Sequence, residues 1–212
     1  MSHKRLLLLG ATGGTGQQIL LQALEGLHEV TVFARNPQKI LVRHDRLRVV
    51  TGDVTIDGSL LAQAIEGQDA VISALGRGMS LKSASLIQRS VKPILLAMQT
   101  QRVRRLIFTS ALGVGHSFQE TPLLSKIFIR LMLRDIYRDK ETGEELLRRS
   151  DLDWTLVYPA QLTNGPKTGN YRAGEHLDLR GLPRIARADV AHFILTQLED
   201  TTYLRKVALL SY

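Results

Sequence analysis

The chain has 212 residues, of which 44% are hydrophobic and 23% charged, a balance typical of a folded single domain rather than a disordered chain. It has no cysteine, which excludes disulfides, thiolate metal sites and a cysteine nucleophile. The formal net charge of +8 suits ordinary solubility or an anionic ligand. The basic residues do not alternate with aromatic ones, which argues against a stacking surface for nucleic acid.

The N-terminal segment carries only four leucines before Gly10, too few for a signal sequence or a membrane span. We therefore expect a cytoplasmic protein with neither a membrane nor a nucleic-acid partner, as a monomer or weak homo-oligomer. The six histidines show no ligand spacing, so we expect no metal site.

Short apolar or β-branched runs alternate with segments whose apolar residues recur at helical spacing. The predicted strands are residues 4–9, 29–34, 48–50, 70–74, 106–109, 155–158 and 207–210. The predicted helices follow Gly16 and Asp57 and then occupy residues 84–100, 127–149 and 190–198. Pro93 should kink or split the third helix, because proline lacks the backbone donor that a helix needs.

This alternation predicts an α/β fold, a doubly wound parallel sheet (Rossmann-like) in one domain over residues 1–212. Residues 160–184 are rich in glycine and proline and predict a long loop. Together with residues 111–140, that loop is expected to form a small region beside the place where a substrate would bind, which we call the acceptor-side region.

A glycine-rich turn lies between the first predicted strand and helix. It reads Gly10-Ala-Thr12-Gly13-Gly14-Thr15-Gly16, with a glycine at every third position. Glycine lets the backbone approach a pyrophosphate, and the helix N-terminus offers free N–H groups and a positive dipole end. The turn therefore predicts a dinucleotide site.

The end of the second predicted strand indicates which dinucleotide is bound. An acidic residue at this place would accept from the ribose hydroxyls of NAD, but the sequence reads Phe33-Ala-Arg35-Asn36. Arg35 can pair with a 2′-phosphate, and Lys39 could assist. NADP(H) is therefore the expected cofactor.

The turn resembles the motif of atypical and extended short-chain dehydrogenases/reductases, and the resemblance extends over nearly the whole chain. Within that family the sequence looks most like the biliverdin-IXβ reductase/flavin reductase group and the NmrA-like NAD(P)H-binding proteins. The further segments that carry it are 49–54, 67–76, 147–159 and 185–191. The resemblance implies that Asp53 and Val54 lie on the adenine side, and that Ala74, Leu75 and Gly76 lie beside the nicotinamide half.

The resemblance also implies a place for Ser110, beside the nicotinamide and the bound acceptor. Short-chain dehydrogenases use Tyr-x-x-x-Lys, in which the lysine lowers the tyrosine pKa. This chain has Tyr137-Arg-Asp-Lys140, one residue short, although residues three apart can still share a helix face. Lys140 alone could reach the nicotinamide ribose, so Ser110 and Lys140 are the candidate catalytic residues.

These residues favour an NADPH-dependent oxidoreductase that passes hydride to a planar conjugated acceptor such as a flavin, a quinone or a bilin. Such an acceptor can take its proton from water and needs no tyrosine. The alternative is a regulator that senses NADP(H) without turnover, as NmrA-like proteins are taken to do. A sugar epimerase would need a larger C-terminal domain than this length supplies.

Overall fold

The fold described here is a computed structural model. It describes residues 2–76, 85–114, 134–179 and 181–212, with side chains from residue 137 onward in the third of these ranges. The strands are β1 (Arg5–Leu9), β2 (Glu29–Ala34), β3 (Leu47–Thr51), β4 (Ala70–Ser73), β5 (Arg105–Thr109), β6 (Asp153–Pro159), β7 (Gln161–Thr163), β8 (Arg172–Gly174), β9 (Arg184–Ala186) and β10 (Lys206–Ser211). The α-helices are α1 (Gly14–Glu25), α2 (Gly58–Ile65), α3 (Leu86–Thr100), α4 (Arg134–Arg148) and α5 (Arg187–Thr196), with a 3-10 turn over Pro37–Lys39.

Eight strands form the main sheet, in the order β3-β2-β1-β4-β5-β6-β10-β8. All neighbours are parallel except β10 and β8. Residues 6–9 of β1 are fully buried, as expected of an inner strand covered on both faces. The predicted doubly wound parallel sheet is therefore confirmed.

The helices fall into two groups. α1 packs against α5, while α3 packs against both α2 and α4. The connection from β1 to β2 runs toward one edge of the sheet, and the connection from β4 to β5 runs toward the other edge. Because both connections are right-handed, their helices α1 and α3 lie on opposite faces of the sheet. The strand order reverses between β1 and β4, which is where such sheets bind ligands.

The structure bears on two predictions about local structure. Helix α3 is not split at Pro93, because its buried face packs against α2 and α4 and offsets the lost backbone bond. Residues 160–184 are not one long loop, because β7 and β9 pair with each other and β8 adds antiparallel to β10. Residues 127–133 of the predicted fourth helix lie outside the described residues.

Candidate functional site

The glycine turn joins β1 to α1 at the reversal point of the sheet. Gly10 has a φ of +84°, and a Cβ there would lie 2.4 Å from the Ala74 carbonyl oxygen. A Cβ on Gly16 would lie 2.1 Å from the Gly10 carbonyl oxygen. The fold itself therefore requires these two glycines, and it packs the turn directly onto the end of β4.

Gly13 is different, because its exposed backbone has room on the protein side. A Cβ there would meet only the Gly10 carbonyl oxygen, at 3.4 Å. Gly13 is also the N-cap of α1, which has neither a side-chain cap nor an acidic residue in its first turn. A helix that starts without such a partner suits an anion, so the residues present fit a dinucleotide pyrophosphate.

Arg187 lies across the first turn of α1. Its Cδ is 2.9 Å from the position of a Cβ on Gly14, and its Nη1 donates to Asn164 Oδ1 at 2.6 Å. A cation is unfavourable in the first turn of a helix, and Arg187 lies in the first turn of its own helix α5. Its side chain instead faces the glycine turn at α1, Gly10 to Gly16, which we call the cradle at α1. Sequence reasoning missed this contact, which only the packing of α1 on α5 creates.

The remaining predicted cofactor residues lie around this turn. Thr12 and Thr15 are partly buried within it, and Ala74, Leu75 and Gly76 follow β4 directly. Val54 is buried beyond the end of β3. All the predicted cofactor residues therefore lie at or just beyond the carboxyl ends of β1, β2, β3 and β4, and their contacts with a cofactor stay predictions.

Arg35 and Asp53 meet beyond the ends of β2 and β3. Arg35 is exposed, and its Nη1 lies 3.9 Å from Asp53 Oδ2. Although burial acts to raise the pKa of Asp53, hydrogen bonds from Thr55 and the charge of Arg35 bring it below its ordinary value. An acid thus lies near this strand end after all, beyond β3 rather than β2, where its charge partly balances that of Arg35.

The two candidate catalytic residues lie at the other side of the reversal point. Ser110 follows β5, with its backbone N–H bonded to the Val157 carbonyl oxygen at 2.8 Å. Tyr137 donates its hydroxyl to the Leu112 carbonyl oxygen at 2.9 Å, and burial raises its pKa to about 12. Burial lowers the pKa of Lys140 to about 8, against the opposing charges of Glu144 and Asp139.

A buried carboxyl group, that of Glu144, interacts with both Ser110 and Lys140, and sequence reasoning missed it. Glu144 is 3% exposed, accepts a hydrogen bond from the Tyr158 hydroxyl, and lies 3.6 Å from Arg148 Nη2. Burial raises the pKa of Glu144. The Lys140-x-x-x-Glu144 spacing, which places both side chains on one helix face, was the available signal.

Two other carboxylates hold the surrounding elements. Asp139 of α4 accepts from the backbone N–H groups of Ile87 and Gln88, at 3.1 and 2.9 Å, and so caps α3. Asp189 of α5 accepts from Thr168 and Gly169 in the segment before β8. These bonds hold α4 against α3, and the segment between β7 and β8 against α5.

Over the described ranges, no three histidine or acidic side chains cluster closely enough to hold a metal ion. No helix within those same ranges has the length and apolar character needed to cross a membrane.

Comparison with known proteins places the chain among dinucleotide-binding proteins. Residues 10–201 match a family model of NAD(P)H-binding proteins. The uncharacterized protein YwnB of Bacillus subtilis is 25% identical over 202 residues, which cover 91% of each chain. The photosystem II assembly factor Ycf39 of Synechocystis is 25% identical over 95% of this chain, but this chain covers only 60% of its length.

Two solved structures have the same fold. A wide-type short-chain dehydrogenase/reductase of Veillonella parvula, solved with NADP, superposes with a TM-score of 0.83 at 20% identity, covering 100% of this chain and 95% of its own. ChuY of Escherichia coli, an anaerobillin reductase, superposes with a TM-score of 0.80 at 24% identity, covering 97% and 96%. The match to the family model confirms the predicted resemblance to NAD(P)H-binding proteins and a nicotinamide dinucleotide as the cofactor. The two structures show that the fold is shared, and the preference for NADP(H) stays a prediction.

Proposed function

Because the chain belongs to the NAD(P)H-binding family, we propose that it is an NADPH-dependent oxidoreductase that transfers hydride to a planar conjugated acceptor such as a flavin, a quinone or a bilin. One observation carries the proposal beyond cofactor binding. Two buried polar side chains, Ser110 after β5 and Glu144 of α4, lie beyond what a dinucleotide site at α1 requires, and the charge of the partly buried Lys140 acts on Glu144.

The dinucleotide would lie along the carboxyl edge of the sheet. Gly13 and the N-terminus of α1 would receive its pyrophosphate, with Arg187 as a second cationic contact. Arg35 would pair with the 2′-phosphate. Only its Nη1 lies near Asp53, at 3.9 Å, so the other guanidinium nitrogens of Arg35 can form charge-assisted bonds with the phosphate. When bound, NADPH would supply the hydride.

The acceptor would lie on the Ser110 side of the cofactor. A flat, electron-poor acceptor held against the nicotinamide needs chiefly positioning, which can supply most of the acceleration. This fits a site in which Tyr137 is bonded to a backbone carbonyl and has a raised pKa. Ser110 would hold the acceptor or orient the cofactor amide.

The engaged hydroxyl of Tyr137 also favours a second candidate, a regulator that binds NADP(H) without turnover. The name of the photosystem II assembly factor Ycf39 shows that a relative of this chain is known for a role in assembly. Both candidates would bind the dinucleotide at the cradle at α1. They differ in whether an acceptor near Ser110 is reduced.

A single assay separates them. The purified chain is titrated with NADPH and then mixed with FAD, FMN, a benzoquinone and biliverdin, and the loss of NADPH absorbance is followed. We expect oxidation with at least one acceptor, and none in Gly13→Val. Tight NADPH binding with no oxidation would replace the reductase with the sensor, and absence of binding would remove both.

A further inference from the structure

Glu144 and Ser110 each carry a buried polar atom, and Tyr158 connects them: Thr109 pairs with Val157, so Ser110 lies beside Tyr158, whose hydroxyl donates to Glu144. Within the described part of the chain, neither Glu144 Oε1 nor Ser110 Oγ has a hydrogen-bond partner, although both residues are at least 95% buried. The Ser110 hydroxyl acts to lower the pKa of the carboxyl. Leaving a buried polar atom unpaired costs free energy, so two such atoms beside one hydrogen-bonded pair call for an explanation.

The surroundings of Glu144 suit a group that both holds and releases a proton. Burial raises its pKa, so the proton stays on to a higher pH than in an exposed glutamate. Ser110, Tyr158, Arg148 and Lys140 act in the opposite direction and would stabilise the carboxylate once the proton has left.

These neighbours come from three places in the fold. Lys140 and Arg148 are on the same helix α4, Tyr158 is on β6, and Ser110 follows β5. Asp139, also on α4, is bonded to the N-terminus of α3. Arg148 remains 39% exposed at its side chain, so the cluster has contact with solvent from which a proton can return.

We propose that Glu144 is the proton donor for the reduced acceptor and that the Ser110 hydroxyl relays the proton. The inference rests on the proposed function and names the residue that completes it. It replaces water, the proton source expected from the sequence, with a buried carboxylic acid.

The acceptor gains a hydride, and with it two electrons, from NADPH, which is oxidised to NADP⁺. Ser110 gives its hydroxyl proton to a heteroatom of the acceptor and takes the proton from Glu144, whose O–H bond breaks. Glu144 is left as a carboxylate bonded to Tyr158, and it regains a proton from water near Arg148.

The first test uses the full chain and an acceptor that the parent protein reduces. Glu144→Gln should lower the turnover rate about a hundredfold, the usual contribution of a positioned general acid. Glu145→Gln is the control, because Glu145 is the next residue of α4 and is exposed. Ser110→Ala should cost about as much as Glu144→Gln, the double variant no more, and Ser110→Thr should recover most of the rate.

A second test needs no turnover and no cofactor. Infrared difference spectra of the ligand-free protein should show a protonated carboxyl that persists to a higher pH than the exposed glutamates. This signal should vanish in Glu144→Gln and remain in Glu145→Gln.

A third test measures turnover. The parent should show a solvent deuterium isotope effect on the turnover rate that both Glu144→Gln and Ser110→Ala remove.

The outcomes are distinct. An active parent whose rate is unchanged in Glu144→Gln overturns the relay and leaves the reductase in place. If Glu144→Gln does not fold, an unchanged isotope effect in Ser110→Ala overturns it equally. A parent that reduces no acceptor removes the proposed function, and this inference with it.

Discussion

The hydroxyl of Tyr137 donates to the Leu112 carbonyl oxygen at 2.9 Å, and this bond joins α4 to the segment that follows β5. A tyrosine that transfers a proton in catalysis needs a pKa near the working pH, whereas burial raises the pKa of Tyr137 to about 12. Lys140, three residues on, does not lower it. The pair therefore shares a helix face without forming the acid–base pair of short-chain dehydrogenases.

Tyr137→Phe should accordingly leave the turnover rate almost unchanged. It removes one neutral hydrogen bond, so the free energy of unfolding should fall by about 1 kcal/mol. Steady-state rates with the best acceptor and urea unfolding curves measure the two effects. A thousandfold loss of rate with little loss of stability would instead show that Tyr137 transfers a proton.

The architecture could be predicted from the sequence because its signals are local. Apolar runs alternate with helical spacing, and strict alternation of this kind has few solutions other than a parallel sheet. β8 could not be predicted, since Arg172–Gly174 has no strand pattern and becomes a strand only by pairing with β10. Pro93 does not split α3 for the complementary reason, because packing around the helix outweighs the local cost of the proline.

A side chain at Gly13 should affect dinucleotide binding and leave the stability of the fold unchanged. A side chain there has room on the protein side, with the Gly10 carbonyl oxygen at 3.4 Å, so it should intrude chiefly on the ligand. Gly13→Val should abolish dinucleotide binding in calorimetry and keep the parent melting temperature. Gly16→Ala is the contrast, because its Cβ would lie 2.1 Å from a backbone oxygen and should destabilise the fold. Retained binding in Gly13→Val would show that the turn is structural only.

Lys140 should make stability depend on pH in the alkaline range. Its folded-state pKa is about 8 and its ordinary value is 10.5, so between these values the unfolded chain holds a proton that the folded chain lacks. Stability contributed by this group therefore rises with pH across that window, by at most about 1.4 kcal/mol per pH unit. In Lys140→Met the rise should be absent. Parallel pH profiles of unfolding for parent and variant would contradict the lowered pKa.

The site could be predicted only where one segment builds it. The glycine turn lies within seven consecutive residues, Gly10 to Gly16, and its glycine spacing is recognisable in the sequence. Glu144 and Arg187 are ordinary charged residues in the sequence. Their positions matter because folding brings Glu144 to Tyr158 and Ser110, and brings Arg187 onto Gly14.

Arg35 should set the preference between the two dinucleotides. Loss of one charge-assisted contact costs roughly 1.5–3 kcal/mol, so Arg35→Ala should weaken NADPH binding about ten- to a hundredfold. NADH lacks the 2′-phosphate, and its affinity should hardly change. Arg43→Ala, at an exposed position in the same connection between β2 and β3, is the control. Equal affinities of the parent for NADPH and NADH in calorimetry would contradict this role of Arg35.

Arg187 should act on both dinucleotides alike, because the pyrophosphate over the first turn of α1 is common to them. Its side chain already lies against Gly14 and is held by the neutral Asn164, so its charge is available to a phosphate oxygen. Arg187→Ala should weaken NADPH and NADH by the same factor, about tenfold or more for one charge-assisted bond. It should also reduce the salt dependence of binding, since one cation fewer faces the ligand. Arg184→Ala, an exposed cation on β9, is the control. A loss confined to NADPH would place Arg187 at the 2′-phosphate instead, and unchanged affinities for both would show that the arginine only packs α1 against α5.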